Sequence, residues 1–240
     1  MEIKELKLED LTVEQKLGMV MCGHINNLWD EKRSEENAEY ALQMIREHKL
    51  GAVWMGAANY KLEEFMAKVK EIADYPILII TDAESGYNYN NKDVGLIGYH
   101  NSIGTCNSVE SAYAFGKVTA VNARKVGYNV VCNPVLDIEN GFTRGFSNNK
   151  YTVAKMAAAE VKGMHDAGIL AVGKHYPSGR NDLKIDSHMA EGFSTQTKEE
   201  LLDYSLYSYT ELMKQGLLDG VMTSHNKFPN IDDTYPTSLS

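Results

Sequence analysis

Residues 169–188 read ILAVGKHYPSGRNDLKIDSH. Four apolar residues, Ile169 to Val172, lead directly into Lys174 and His175. An apolar run this short, bounded by Gly168 and a polar stretch, reads as a buried strand rather than a helix. Upstream, residues 151–167 carry a long Ala-rich helical pattern, and Gly168 stands where a left-handed cap residue is expected. The unit is therefore a helix, a cap, a buried strand and a charged loop.

The same unit recurs along the chain. The other short apolar runs are GMVMC (18–22), GAVWM (51–55), PILII (76–80), NVVCN (129–133) and LLDGVMT (217–223). Amphipathic or Ala-rich segments at 34–48, 61–73 and 108–126 separate them, and a further helix runs from Thr197 to about Gln215. Thr12 with Gln15, and Thr197 with Glu200, have capping-box spacing. Gly51, Gly127 and Gly216 occupy the same cap position as Gly168. A βα unit repeated about six times predicts a parallel α/β fold, either an open doubly wound sheet or a (β/α)8 barrel. The first run is not followed by G-x-G-x-x-G, which weighs against a dinucleotide fold. With no linker, low-complexity tract or tandem repeat, residues 1–240 read as one domain.

Bulk composition narrows the function classes. The chain has 240 residues, 43% hydrophobic and 24% charged, with a net charge of −9. These are values of an ordinary globular protein, and an acidic chain without a Lys/Arg cluster is a poor partner for nucleic acid or an anionic membrane. No segment reaches eighteen apolar residues. The opening MEIKELKLEDLTVEQKL is charged throughout and lacks the apolar centre of a signal peptide, so the expected location is the cytoplasm. Cys22 and Cys132 fall in apolar runs and read as small buried thiols.

Each apolar run is followed by polar groups: His24, then Thr81-Asp82-Ala83-Glu84, then Asn133 and Asp137, then Lys174-His175, then Ser224-His225. In parallel α/β folds the active site gathers at the carboxyl ends of strands, so this convergence predicts an enzymatic site. Singly, each residue has a plainer reading. Asp82 suits a cap, Asp137 a loop held through backbone hydrogen bonds, and Arg144 a solvated loop. His24 and His225 fit a core histidine or a ligand contact equally, His100 falls in a loop, and His48 and His165 fall in helical patterns. His24, His175, His188 and His225 with Asp82 or Asp186 could ligate zinc, but H-x-H and H-E-x-x-H are both absent, so no metal and no cofactor is assigned. In Asp186-Ser187-His188 the aspartate can orient the histidine and stabilise its imidazolium, which suits a general acid/base near neutral pH.

The stretches TDAESG (81–86), NVVCNPVLDI (129–138), TRGFS (143–147), GKHYP (173–177), DSH (186–188) and GVMTSHNKFPNID with PTSLS, in that order, resemble the N-terminal catalytic domain of glycoside hydrolase family 3, and within it the β-N-acetylglucosaminidase branch. The resemblance runs from LTVEQKLGMV to the end of the chain. It implies a TIM-type (β/α)8 barrel, here incomplete with about six βα units. It also implies a retaining glycosidase acting on terminal β-linked N-acetylglucosamine or related β-glycosides, with a carbohydrate as its partner. By the same resemblance Asp82, Arg144, Lys174 and His175 bind the sugar, His225 lies among the substrate contacts, and His188 with Asp186 forms the acid/base dyad. Where the family reads K-H-F-P-G-H-G, this chain has Lys174-His175-Tyr176-Pro177-Ser178-Gly179-Arg180, and its loop to D-S-H is one residue longer. In the family the aspartate nucleophile follows a seventh strand, so it is expected on a C-terminal continuation of the polypeptide, and the 240-residue chain alone is expected to be inactive. The alternatives are a β-glycoside phosphorylase or a β-glucosidase/xylosidase of the same fold, and a non-catalytic carbohydrate-binding barrel.

Overall fold

Helix starts are set by side chains that satisfy the unpaired first-turn amides. Thr12 accepts from the Gln15 amide while the Gln15 side chain accepts from the Thr12 amide, and Thr197 and Glu200 repeat the exchange. Asp30 and Asn149 cap two longer helices in the simpler way. The computed structural model describes residues 6–26, 30–56, 61–87, 95–138, 144–178, 190 and 192–240. Asp186 and His188 lie outside these residues.

In chain order the elements are α1 (Val13–Met19), β1 (Cys22–His24), α2 (Glu31–Arg46), β2 (Ala52–Trp54), α3 (Leu62–Ile72), β3 (Leu78–Thr81), α4 (His100–Cys106), α5 (Val109–Val126), β4 (Val130–Val131), α6 (Lys150–Asp166), β5 (Leu170–Tyr176), α7 (Lys198–Glu200), α8 (Tyr207–Lys214) and β6 (Gly220–Thr223). Two compact units divide the chain, Met1–Asp82 with Asn122–Val131, and Ala83–Val121 with Cys132–Ser240.

The first unit holds β1 to β4, paired in parallel and in chain order, with Cys22 opposite Ala52, Ala52 opposite Leu78, and Ile80 opposite Val130. Leu42, Ile45, Val53, Phe65, Val69 and Ile79 are buried within it. Tyr75 and Tyr128 are also buried, and each hydroxyl donates to a main-chain carbonyl, of Leu50 and of Met55. Burial, with the Asp74 charge beside it, pushes the Tyr75 hydroxyl up to about 12. In the second unit β5 and β6 pair in parallel, and Val135 bridges to Lys174 of β5, also in parallel.

Four expectations need correction. The run GMVMC is not the first strand. The Thr12 cap starts a helix that carries through Gly18 and Met19, and the strand that pairs with the three residues of β2 is Cys22–His24. Cys22 is consequently exposed, whereas Cys132 is buried as expected. Gly51 is not the left-handed cap. His48 takes that conformation, at φ 58°, and Gly51 is needed because a Cβ there would run into the Met19 carbonyl. The helix expected from Thr197 to Gln215 is interrupted by a π-helical turn at Leu201–Ser205, between α7 and α8.

One close helix contact in the second unit is reciprocal. A Cβ on Gly116 of α5 would collide with the carbonyl oxygen of Glu160, and one on Gly163 of α6 with that of Tyr113. Gly163→Ala gains about 1 kcal/mol of helix propensity. It must also push the two helix backbones away from each other, and overpacking of this kind costs about 1–3 kcal/mol. The expected result is net destabilisation, seen as a lower midpoint in thermal unfolding. A raised midpoint would mean that the helices do not meet at these glycines.

Candidate active site

Lys174 and His175 lie inside a strand rather than beyond its end. β5 runs through both of them to Tyr176. The Lys174 amide donates to the Pro134 carbonyl at 3.1 Å, and its carbonyl accepts from the Leu136 amide at 2.7 Å. This pairing places Asp137, the next residue but one after Val135, beside His175.

A continuous chain of polar side chains follows. Lys174 is buried, and its Nζ lies 2.7 Å from Glu84 Oε1. Arg144 grips the same carboxylate with two parallel bonds, Nη2 to Oε1 at 2.6 Å and Nε to Oε2 at 2.8 Å. Arg144 Nη2 also reaches His175 Nε2 at 3.2 Å. His175 Nδ1 lies 2.7 Å from Asp137 Oδ2, and the His175 main-chain N–H donates to Asp137 Oδ1 at 3.1 Å. A guanidinium can only donate, so His175 Nε2 accepts and its Nδ1–H donates to Asp137. That fixes one neutral tautomer. Two carboxylates thus face two cations around a neutral imidazole.

The electrostatics follow from the same contacts. Burial alone would raise the Glu84 pKa, but the Arg144 hydrogen bonds and the charges of Lys174 and Arg144 outweigh it and hold the carboxyl well below the usual carboxylate range. Burial likewise opposes ionisation of Asp137, and the side-chain and main-chain hydrogen bonds of His175, with the Arg144 charge, bring its pKa down. Tyr209 of α8 is buried and meets Tyr176 edge-on at 5.3 Å. Burial, with the Asp137 charge, raises its hydroxyl pKa well above the ordinary value.

Of the sequence-derived site residues, Arg144, Lys174 and His175 are brought together. Asp82 follows β3 as the last residue of the first unit's main segment and is half-buried. His225 follows β6, is exposed, and has its Nδ1 3.0 Å from Ser238 Oγ. His24 is exposed as well, which removes its core reading. Two supports were missed, Glu84 and Asp137. Asp137 read as a loop-holding residue, yet its partner is the histidine of β5. Both sit just past apolar runs, and a buried lysine requires a carboxylate, so the signal lay in Lys174 falling at the end of a core strand. His100 was placed in a loop; it opens α4 and is fully buried. Ser178, where the sequence departs from K-H-F-P-G-H-G, is buried, and its hydroxyl donates to the Leu136 carbonyl and accepts from the Ile138 amide. That residue therefore latches the segment carrying Asp137. Among the described residues no group of three His, Cys, Asp or Glu side chains is placed to hold a metal. No helix among them is long and apolar enough to cross a membrane.

A fixed array of charges and one imidazole on the last residues of a parallel strand is the layout of a βα-barrel enzyme, whose functional groups stand at strand carboxyl ends. The chain belongs to glycosyl hydrolase family 3: residues 12–240 match the N-terminal domain of that family. It is 28% identical over 206 residues to a beta-hexosaminidase of Tolumonas auensis, covering 80% of this chain and 60% of that protein. A beta-hexosaminidase of Idiomarina loihiensis is 29% identical over 187 residues, 73% of this chain and 55% of that protein. Among solved structures, the family 3 beta-N-acetylglucosaminidase from Paenibacillus sp. str. FPU-7 superposes with a TM-score of 0.82 at 27% identity, over 96% of this chain and 45% of that one. The fold is accordingly a TIM-type barrel, incomplete, with six βα units. The chain spans between about half and three-fifths of the length of these curated relatives.

Proposed function

We propose that the protein is a retaining glycosidase that removes terminal β-linked N-acetylglucosamine. The observation that carries this reading is the Asp137–His175–Arg144–Glu84–Lys174 chain, in a family whose relatives here bear the names beta-hexosaminidase and beta-N-acetylglucosaminidase. Arg144 and Lys174, with Asp82 and His225, hold the hydroxyls of the terminal sugar, and His175 supports them by fixing the Arg144 guanidinium. Carboxylates fix the donors beforehand, so little ordering is left for the moment of binding. His188, oriented by Asp186, protonates the leaving oxygen as an aspartate attacks the anomeric carbon, giving a glycosyl-enzyme. His188 then takes a proton from water, which displaces the aspartate and restores the β configuration. The relatives extend beyond the matched region, and the aspartate is assigned to the corresponding continuation after Ser240.

The test compares aryl β-N-acetylglucosaminide with aryl β-glucoside and β-xyloside in the full-length protein, following the first-formed anomer by NMR. Turnover of the N-acetyl substrate with β product, unchanged by added phosphate, is expected. Preference for glucoside or xyloside, a rate that depends on phosphate, or binding without turnover would each replace this reading by another. The 240-residue chain alone is expected to show no turnover above background.

A further inference from the structure

The second unit buries a carboxylate that the mechanism does not use. Glu160 stands in the middle of α6 and is wholly inaccessible, among Met156, Ala157, Val161 and Met164. A buried carboxylate loses several kcal/mol of hydration, so it must be held by specific partners. Its partners are specific. Glu160 Oε1 accepts from Asn133 Nδ2 at 2.8 Å, and Oε2 lies 3.1 Å from His100 Nε2. All three side chains are fully buried.

These three residues contact or adjoin the segments that carry Glu84, Lys174 and Arg144. Asn133 Nδ2 also donates to the Ala83 carbonyl at 3.2 Å, and Ala83 immediately precedes Glu84. Asn133 opens the segment whose next residue, Pro134, accepts from the Lys174 amide. The His100 ring meets Phe146 edge-on at 4.7 Å, two residues from Arg144. We propose that Glu160 is a positioning residue: it orients the Asn133 amide, which fixes the Ala83 carbonyl and thereby the Glu84 carboxylate that sets Arg144 and Lys174. The proposal rests on the reading of Arg144 and Lys174 as a sugar clamp. It assigns to a buried acid remote from the sugar the task of holding the clamp in register.

The test uses the full-length protein and two readouts, the dissociation constant for N-acetylglucosamine by calorimetry and the solvent exchange of the Arg144 Nε–H, a proton held by Glu84, by NMR. The second needs no sugar. A wild type that binds no N-acetylglucosamine would count against the proposed function, while the exchange rate still decides on the brace. Glu160→Leu takes away the acceptor of two buried donors and is expected to fold with a thermal midpoint below that of wild type. It should weaken sugar binding and speed the exchange by roughly ten-fold each, the weight of one buried hydrogen bond. Glu160→Gln keeps a side-chain oxygen for Asn133 and should stay within about three-fold of wild type on both. A folded Glu160→Leu with wild-type affinity and exchange overturns the proposal, as does a Glu160→Gln impaired to the same degree as the leucine variant. If Glu160→Leu does not fold, Asn133→Ala carries the same test by removing only the amide. Failure of both to fold also overturns it, since the cluster would then be part of the core and nothing more.

Discussion

Glu84→Gln is expected to remove a carboxylate that two cations share. Lys174 is almost wholly buried, and its Nζ and the Arg144 guanidinium share the Glu84 carboxylate. Removing one partner of a buried ion pair costs about 3–5 kcal/mol, because the remaining charge keeps its desolvation without its counter-charge. The amide of glutamine can accept one hydrogen bond, but it carries no charge and turns a donor toward a cation. A loss in that range should appear in denaturant unfolding at pH 7, together with loss of measurable N-acetylglucosamine binding. The pH dependence has a definite sign. Glu84 is held below its ordinary value of 4.5 in the native state, so its contribution is fully present above that pH. As the solution is acidified below it, the unfolded chain takes up a proton that the native protein refuses, and stability falls. The variant lacks this group, so the gap between it and wild type should be widest at neutral pH and narrow on acidification. Equal stabilities at pH 7, or a gap that widens in acid, would show that the carboxylate is not what holds Lys174.

Much of the fold is visible in the sequence because buried parallel strands are uniformly apolar and must end in polar groups. All six apolar runs overlap the strand expected of them, the first only at Cys22, and both capping boxes form. The first run failed for a local reason. Hydrophobicity alone does not separate the last turn of a helix from a short strand, and the Thr12 cap fixes a helical phase that carries through Met19. The π turn after α7 likewise leaves the apolar pattern nearly intact. It shifts the phase by a single residue, while buried Ser205 accepts from the Gln196 side chain.

The candidate site was legible as a set of strand ends but not as a network. Lys174 and His175 stood out, since a cation and an imidazole next to a core strand are rare enough to notice, and Arg144 entered only through the resemblance of TRGFS to the family. Glu84 and Asp137 did not, because a sequence does not show which carboxylate meets which donor at separations of 60 or 38 positions. Glu160 was hidden more deeply. In a helical pattern an acid reads as the solvent face, and only its complete burial beside Asn133 and His100 reverses that.

The proposed acid/base supplies the sharper test of chemistry. His188→Ala should slow the full-length protein by about 10²–10⁴-fold on substrates with poor leaving groups, the range assigned to a positioned proton donor. On an activated aryl glycoside, whose leaving phenoxide needs little protonation, the first step should lose far less, and the second should become limiting because water is no longer deprotonated. A burst of phenol followed by slow turnover is then expected, with accumulated glycosyl-enzyme visible by intact-protein mass. Asp186→Asn should have a milder effect of the same kind, since it removes the charge that stabilises the imidazolium while leaving the ring in place. Its pH–rate profile should shift to lower pH, because an imidazolium without its carboxylate gives up its proton more readily. If His188→Ala slows activated and unactivated substrates equally, with no burst, the proton is moved by another group. Attention would then turn to His175. That outcome conflicts with its geometry, since Nδ1 is committed to Asp137 and Nε2 already accepts from Arg144. A histidine held at both nitrogens by fixed partners is suited to fixing the Arg144 guanidinium in place. One that must release and recover a proton within a single turnover needs a nitrogen open to the reacting oxygen. This is the physical reason to place the two histidines of GKHYPSGRNDLKIDSH in different roles.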